Sequence, residues 1–293
     1  MILSSAQRTW LKQAGSTVLH LAAFYIVIII VIIAVAGPVV ALLDPSVSDR
    51  PHPLVILAQS IPIVLAVGGI TVFLVMRGGW TLHTIGWPRA PAGLRSLGVG
   101  LTIGVTMAIS VVVISTLAGP GGLVLDGASI GNHIATVIPL LLVLLVAALA
   151  EELVFRGYPL LKLSRLLGKP GASVALALLF GLAHIANPDV SAFGLLNVAL
   201  ASLVLSAIFF TPGALPAAWG LHFGWNAGLM VVDAPVSGVR FDVPMLDFRP
   251  EAPVWLTGGG FGPEGGAIAS VVMGAALVLI VRPLLRDREA RDE

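Results

Sequence analysis

The chain has 293 residues, of which 57% are hydrophobic and only 11% are charged, and its mean hydropathy is +1.02. Soluble domains carry about 25% charged residues, so this composition excludes an ordinary soluble protein and indicates a polytopic membrane protein. The net charge of +1 gives no sign of a nucleic-acid partner. The absence of cysteine excludes disulfides, thiolate metal ligands and a cysteine nucleophile.

Apolar segments, taken in chain order, predict an all-α fold: a polytopic membrane helical bundle of about eight transmembrane helices in a single integral membrane domain, residues 1–293. The first segment follows Arg8 and Lys12 and is longer than the about 7–15 apolar residues of a signal peptide, so we expect it to be retained. The fifth and seventh segments are short, since a bilayer crossing takes about 20 residues. The segments are 18–43, 53–76, 97–117, 134–158, 172–187, 192–210, 216–232 and 265–281.

The distribution of lysine and arginine predicts the orientation. With a cytoplasmic N-terminus, only Arg50, Arg240 and Arg249 of the 16 basic residues fall on the outside. Because cytoplasmic loops are enriched in lysine and arginine, this pattern favours both termini in the cytoplasm. Residues 233–264 then form an extracytoplasmic loop, which we expect to be flexible rather than a substrate lid.

Two adjacent carboxylates follow the apolar run of the fourth segment, and an arginine follows them at helical spacing. Glu152 and Arg156 are four residues apart, so on a helix they share a face and can form an ion pair. Glu151 is rotated by about 100° from Glu152 and can point elsewhere into the bundle. This spacing favours a structural role for Glu152 and a chemical role for Glu151. A salt bridge that merely ends the helix at the interface would give the same spacing.

Two later segments bring histidines and an amide into apolar surroundings. His184 lies near the end of the fifth segment, and His222 and Asn226 share a face of the seventh. Each alone is explained by packing or by a hydrogen bond between helices. Together with Glu151 they supply what water activation requires, namely a general base, an imidazole that shares the proton, and donors for a developing oxyanion. The same carboxylate and imidazoles could hold a divalent metal such as zinc.

Motifs of several other intramembrane hydrolases are missing from the sequence. It contains no Gly-x-Ser-x-Gly elbow, no His-Glu-x-x-His zinc motif and no pair of membrane aspartates. Intramembrane Glu and His residues also build proton relays, so a proton-coupled transporter is an alternative. The clustering of the polar residues in three segments and the lack of a visible inverted repeat argue against it.

Three short motifs in chain order carry a family resemblance. They are Glu151-Glu152-x-x-x-Arg156, Phe180-x-x-x-His184 and His222-x-x-x-Asn226. This set resembles the motifs of the CAAX prenyl protease and bacteriocin-processing (CPBP, or Abi) family of intramembrane proteases. The resemblance covers about 134–232, which would be the catalytic core.

The resemblance implies an all-helical intramembrane endopeptidase with defined residue roles. The first glutamate of the family activates water, which here is Glu151, and the histidine of the second motif, here His184, assists it. The third-motif pair, here His222 and Asn226, stabilises the oxyanion. Glu152 is also one of the predicted catalytic residues. Together with Arg156 and Phe180 it shapes the site.

The resemblance also bears on cofactors and partners. The family is commonly called metalloprotease, so zinc bound by Glu151, His184 and His222 is an expectation, and no other cofactor is expected. Eukaryotic members remove the last three residues of prenylated CAAX proteins, and bacterial relatives include bacteriocin self-immunity and maturation proteins. This implies a membrane-associated protein or peptide substrate and a site facing the cytoplasm, here of a bacterial cytoplasmic (inner) membrane. A non-catalytic immunity or adaptor protein of the same fold is the alternative.

The segment boundaries place the two histidines at different depths. At about 1.5 Å per residue, His222 is roughly 9 Å and His184 roughly 18 Å from the inner ends of their segments. We therefore expect the fifth helix to start later than residue 172, to tilt, or to be short and re-entrant.

Overall fold

Long helices make up most of the described chain, which confirms the predicted all-α membrane bundle. A computed structural model describes residues 4–43, 52–77 and 79–292, so Arg50 lies outside the described residues. Eight long helices are present in these ranges: α1 (Ser5–Val31), α2 (Pro53–Met76), α3 (Ala90–Leu117), α4 (Ile130–Phe155), α5 (Tyr158–Ala183), α6 (Ala192–Phe209), α7 (Ala214–Met230) and α8 (Ala267–Asp292). A π-helical turn and a short helix, Gly37–Ala41, extend α1.

Serine hydroxyls fix the starts of three of these helices. Ser4, Ser129 and Ser191 precede α1, α4 and α6, and each accepts a hydrogen bond from the backbone N–H three residues later. Such caps satisfy donors that the first helical turn leaves without partners. The polar residues before each apolar run therefore define where the helices begin.

The fourth and fifth helices differ from their predicted bounds, and glycine explains both differences. Gly157, with φ 56° and ψ −124°, separates α4 from α5. Gly168 (φ 72°, ψ 166°) then breaks α5, and Pro170 follows it. A glycine at positive φ interrupts a helix. Pro170 adds to the break, because it disfavours the α region for Lys169, the residue before it. The predicted fifth segment, 172–187, is thus only the second half of α5, which ends before His184.

The number of membrane spans depends on how these breaks are counted. Length and hydropathy alone give six candidate spans within the described residues, because Ile130–Ala183 counts as one stretch that contains both α4 and α5. The helix α7 has 17 residues, fewer than the about 20 that an untilted crossing needs. The eight predicted apolar segments nevertheless each correspond to one long helix.

Glycine also sets the closest contact in the bundle, between the parallel helices α3 and α7. Gly100 and Gly104 of α3 face the backbone of α7, and Gly220 and Gly224 of α7 face the backbone of α3. A Cβ atom at any of these four positions would collide with a carbonyl oxygen of the other helix. Small residues four apart allow such close approach in membranes. Two parallel helices also agree with the predicted alternation, in which the third and seventh segments cross in the same direction.

The predicted extracytoplasmic loop is folded rather than flexible. Its strand β2 (Leu246–Pro250) pairs antiparallel with β1 (Gly121–Leu125), which precedes α4. Asp126 accepts hydrogen bonds from the backbone N–H groups of Ala128 and Met245, and these bonds hold the pKa of its carboxyl below the usual value. Further along, Phe261 and Glu264 are buried. The prediction of flexibility fails because this segment has apolar and polar anchors of its own.

Candidate active site

A buried ion pair lies at the end of α4, as the four-residue spacing predicts. Arg156 Nη1 donates a hydrogen bond to Glu152 Oε1 at 3.2 Å, and both side chains are completely buried. The Arg156 guanidinium points into the bundle and not into a loop. Two such charges out of water require each other, since either alone would be an uncompensated buried charge.

Two further groups fix the Arg156 guanidinium. Its Nη2 donates to the Ser202 hydroxyl at 2.8 Å and to the Ser202 backbone carbonyl at 3.3 Å. The ring of Phe180 lies 4.7 Å from the guanidinium carbon, a cation–π distance. Ser202, on α6, was missed by sequence reasoning. The only sign of Ser202 in the sequence is a hydroxyl within an apolar segment. Many membrane helices contain such a hydroxyl.

His222 extends the ion pair toward the centre of the site. Its Nδ1–H donates to Glu152 Oε1 at 2.8 Å, so one carboxylate oxygen holds both Arg156 and His222. This hydrogen bond fixes the orientation of the imidazole and directs Nε2 away from Glu152. Glu152 therefore has two partners, one more than the sequence predicted.

His184 is oriented in the same manner from another helix. It follows the last residue of α5, and its Nδ1–H donates to the backbone carbonyl of Phe180 at 2.8 Å. The Phe180 ring also contacts the His184 ring, with 4.7 Å between the ring centroids, and lies 6.2 Å from the His222 ring. Phe180 thus packs against both the buried arginine and the His184 ring, and the Nε2 atoms of the two histidines have no hydrogen-bond partner among the described residues.

Both free imidazole nitrogens face Glu151. The distance from Glu151 Oε2 is 3.8 Å to His222 Nε2 and 4.0 Å to His184 Nε2. This oxygen is buried and has no hydrogen-bond partner among the described residues, whereas the Glu151 side chain as a whole is 39% exposed. The structure therefore brings together the carboxylate and the two histidines that the sequence singled out, at distances that one bridging water would fit.

Asn226 lies one turn beyond His222 and lines a cavity of about 40 Å³ inside the bundle. Since a water needs about 10–15 Å³ of such space, the cavity has room for two or three. The Asn226 carboxamide forms no hydrogen bond with the described residues, although it is largely buried. Polar groups lining the cavity are those of His184, His222, Asn226, Ser237 and Glu264.

Glu264 of the long loop is a site neighbour that sequence reasoning missed. Its carboxylate accepts hydrogen bonds from Trp225 Nε1 at 2.8 Å, from the Ser237 hydroxyl at 2.8 Å and from the Ser237 backbone N–H. Trp225 precedes Asn226 on α7, so these bonds tie the loop to the helix that carries the third motif. The sequence offers no signal for this contact, because 39 residues separate Trp225 from Glu264.

The separations around Glu151 are too wide for a tetrahedral metal site. Ligand atoms about 2.0–2.2 Å from zinc in a tetrahedral site lie about 3.3–3.6 Å from each other. The observed 3.8 and 4.0 Å exceed this separation. No group of three His, Asp or Glu side chains in the described ranges has the geometry to hold a metal ion. Zinc bound by Glu151, His184 and His222 therefore stays a prediction from the family resemblance.

The fold defines an integral membrane protein, and the polar cluster inside its helical bundle is a candidate hydrolase-like site. Residues 133–228, about a third of the chain, match the profile of the family described as type II CAAX prenyl endopeptidase Rce1-like. This match confirms the resemblance predicted from the three motifs: residues 133–228 are similar to type II CAAX prenyl endopeptidases, which points to a protease. No curated protein matches the chain.

Proposed function

We propose that the protein is an intramembrane endopeptidase in which Glu151 activates the attacking water. One observation carries the proposal: a buried carboxylate oxygen without a partner among the described residues faces two oriented imidazole nitrogens at 3.8 and 4.0 Å. Buried polar groups are normally paired. Glu152 Oε2 is also unpaired among the described residues, and Glu151 Oε2 differs from it in facing the two imidazoles. Glu151 is also the half-exposed member of the glutamate pair, which gives a substrate access to it.

The groups of the site supply each step of peptide hydrolysis. A water between Glu151 Oε2 and the two Nε2 atoms gives a proton to Glu151 while its oxygen attacks the scissile carbonyl carbon. The amide of Asn226 and the protonated imidazole of His222 donate to the oxyanion that forms. When the intermediate collapses, the C–N bond breaks and Glu151 returns its proton to the leaving nitrogen. His184 holds the water, and Glu152 keeps His222 oriented.

We propose a membrane-associated protein or peptide as the substrate, with a prenylated CAAX sequence as the first candidate because of the family match. The positive-inside pattern supports a bacterial cytoplasmic (inner) membrane with the end of α4, which carries Glu151, on the cytoplasmic side. We propose that the substrate enters from that side, while Ser237 and Glu264 of the predicted outer loop line the far side of the cavity. The wide ligand separations support a mechanism in which water is activated by the glutamate and not by a bound metal.

The test is cleavage by the purified protein reconstituted in liposomes. A farnesylated peptide ending in a CAAX sequence should lose its last three residues, and the same peptide without the farnesyl group should be cleaved far more slowly. Glu151→Gln should abolish the reaction, whereas Glu251→Gln, at an exposed glutamate of the outer loop, should leave it unchanged. Dialysis against a zinc chelator should also leave the rate unchanged.

Other results would contradict parts of this proposal. If chelation abolished the activity and added zinc restored it, the metal-free mechanism would be refuted. Equal cleavage by wild-type protein and Glu151→Gln would refute the role of Glu151. Absence of cleavage for prenylated and unprenylated membrane peptides of varied sequence would favour the non-catalytic alternative.

A further inference from the structure

A basic crevice lies between α1 and the first half of α5, away from the hydrolase-like site. It has a volume of about 330 Å³, and its polar lining comes from Lys12, Gln13, Ser16, Thr17, Lys162 and Arg165. Three of these six side chains are cations, two carry hydroxyls and one is a carboxamide. The family motifs include none of these residues.

The three cations of the crevice lack acidic partners in the described part of the chain. No carboxylate there lies within 4.0 Å of Lys12, Lys162 or Arg165. Like charges that share a crevice repel each other, so an anion bound between them would be stabilised. The Arg165 guanidinium is held in place by Trp80, whose ring centroid lies 4.0 Å from it. The crevice is thus a partly preorganised anion site.

The surroundings indicate an anion with an apolar part. Along α1, the cationic Lys12 is followed within two turns by Val18 and Leu19, which are 64% and 69% exposed on the bundle surface. Trp80 lies beside the crevice and Trp10 is exposed on α1. Tryptophan next to basic residues at the end of an apolar helix marks the membrane–water interface. The predicted orientation places this interface on the cytoplasmic side.

We infer that the crevice binds the phosphate group of an anionic phospholipid from the cytoplasmic leaflet. Lys12, Lys162 and Arg165 contact the phosphate, the hydroxyls of Ser16 and Thr17 donate to its oxygens, and the acyl chains lie along the exposed apolar face of α1. Basic pockets between membrane helices on the cytoplasmic side bind lipid head groups in this manner. The bound lipid joins α1 to α5, the helix that ends next to His184.

The experiment measures lipid retention by native mass spectrometry. The protein is reconstituted in phosphatidylcholine nanodiscs with or without phosphatidylglycerol and then released into detergent. Wild-type protein should retain phosphatidylglycerol over phosphatidylcholine, and millimolar inorganic phosphate should not displace it. Lys12→Gln together with Lys162→Gln should weaken retention about 25-fold, because each lysine near an anionic head group contributes about a factor of five.

The matched control removes two exposed arginines from the same predicted side of the membrane, Arg89→Gln with Arg95→Gln, and should retain phosphatidylglycerol like the wild type. Thermal unfolding in phosphatidylcholine shows whether each double variant is folded. If the crevice variant does not fold, Lys12→Gln alone serves, with about a fivefold loss expected. Equal retention by crevice and control variants would overturn the inference, and so would displacement of the lipid by inorganic phosphate, which would indicate a site for free anions.

Discussion

Two neighbouring glutamates have opposite environments in this protein, and the rotation of about 100° per helical residue is the cause. Glu152 is fully buried and binds Arg156 and His222 through one oxygen. Glu151 is partly exposed and directs an oxygen without a described partner at two imidazoles. The first environment suits a fixed structural charge, and the second suits a group that must exchange a proton with a substrate or water.

Removing the arginine should affect stability strongly. Arg156→Ala leaves Glu152 as an uncompensated buried charge and should destabilise the protein by about 3–5 kcal/mol. Thermal unfolding in detergent should show a large decrease in Tm, and Arg95→Ala, at an exposed arginine, should show almost none. Equal Tm values for the wild type and Arg156→Ala would refute the importance of this pair.

The residues of the site were predictable where they are close in the sequence and unpredictable where they are distant. The Glu152–Arg156 pair follows from helical spacing alone. The contact of Arg156 with Ser202 spans 46 residues, and that of Trp225 with Glu264 spans 39. Such contacts depend on which helices are neighbours, and a single sequence of apolar segments does not specify this.

At the scale of elements, helix existence was predictable and helix interruption was not. All eight apolar segments became long helices, because burial in lipid requires backbone hydrogen bonds to be satisfied within each segment. The breaks at Gly157 and Gly168 were not predicted, and the expectation that the fifth helix starts later than residue 172 is wrong, because α5 begins at Tyr158 and resumes directly after Gly168. Glycine and proline near residue 168 were the available signal.

The contact between α3 and α7 positions the third motif, since His222 lies between Gly220 and Gly224. Gly104→Ala would place a methyl group against the carbonyl oxygen of Leu221 and should destabilise the protein by about 1–3 kcal/mol, as overpacking does. We expect a lower Tm and a lower cleavage rate, because α7 must move. Gly98→Ala on the same helix meets no atom within 4 Å and should behave like the wild type. Identical behaviour of both variants would contradict the close packing.

At the scale of the whole molecule, the orientation remains a prediction from the basic residues. The absence of cysteine makes it directly measurable, since any introduced cysteine is unique. Glu251→Cys, in the outer loop, should react with a membrane-impermeant maleimide on intact cells. Ala92→Cys, at the start of α3, should react only after permeabilisation, and both positions are exposed. The opposite labelling pattern would place the loop that contacts α7 in the cytoplasm.

Glu151 and Glu152 have different roles in this account, and one paired measurement tests this difference most directly. Cleavage rate and Tm are compared for the wild type, Glu151→Gln and Glu152→Gln in the same membrane preparation. We expect Glu151→Gln to abolish cleavage and keep the wild-type Tm, because the Glu151 carboxylate is not paired with Arg156. Glu152→Gln should lower both, because Arg156 and His222 lose their shared partner. Retained cleavage in Glu151→Gln, or an unchanged Tm in Glu152→Gln, would contradict the account.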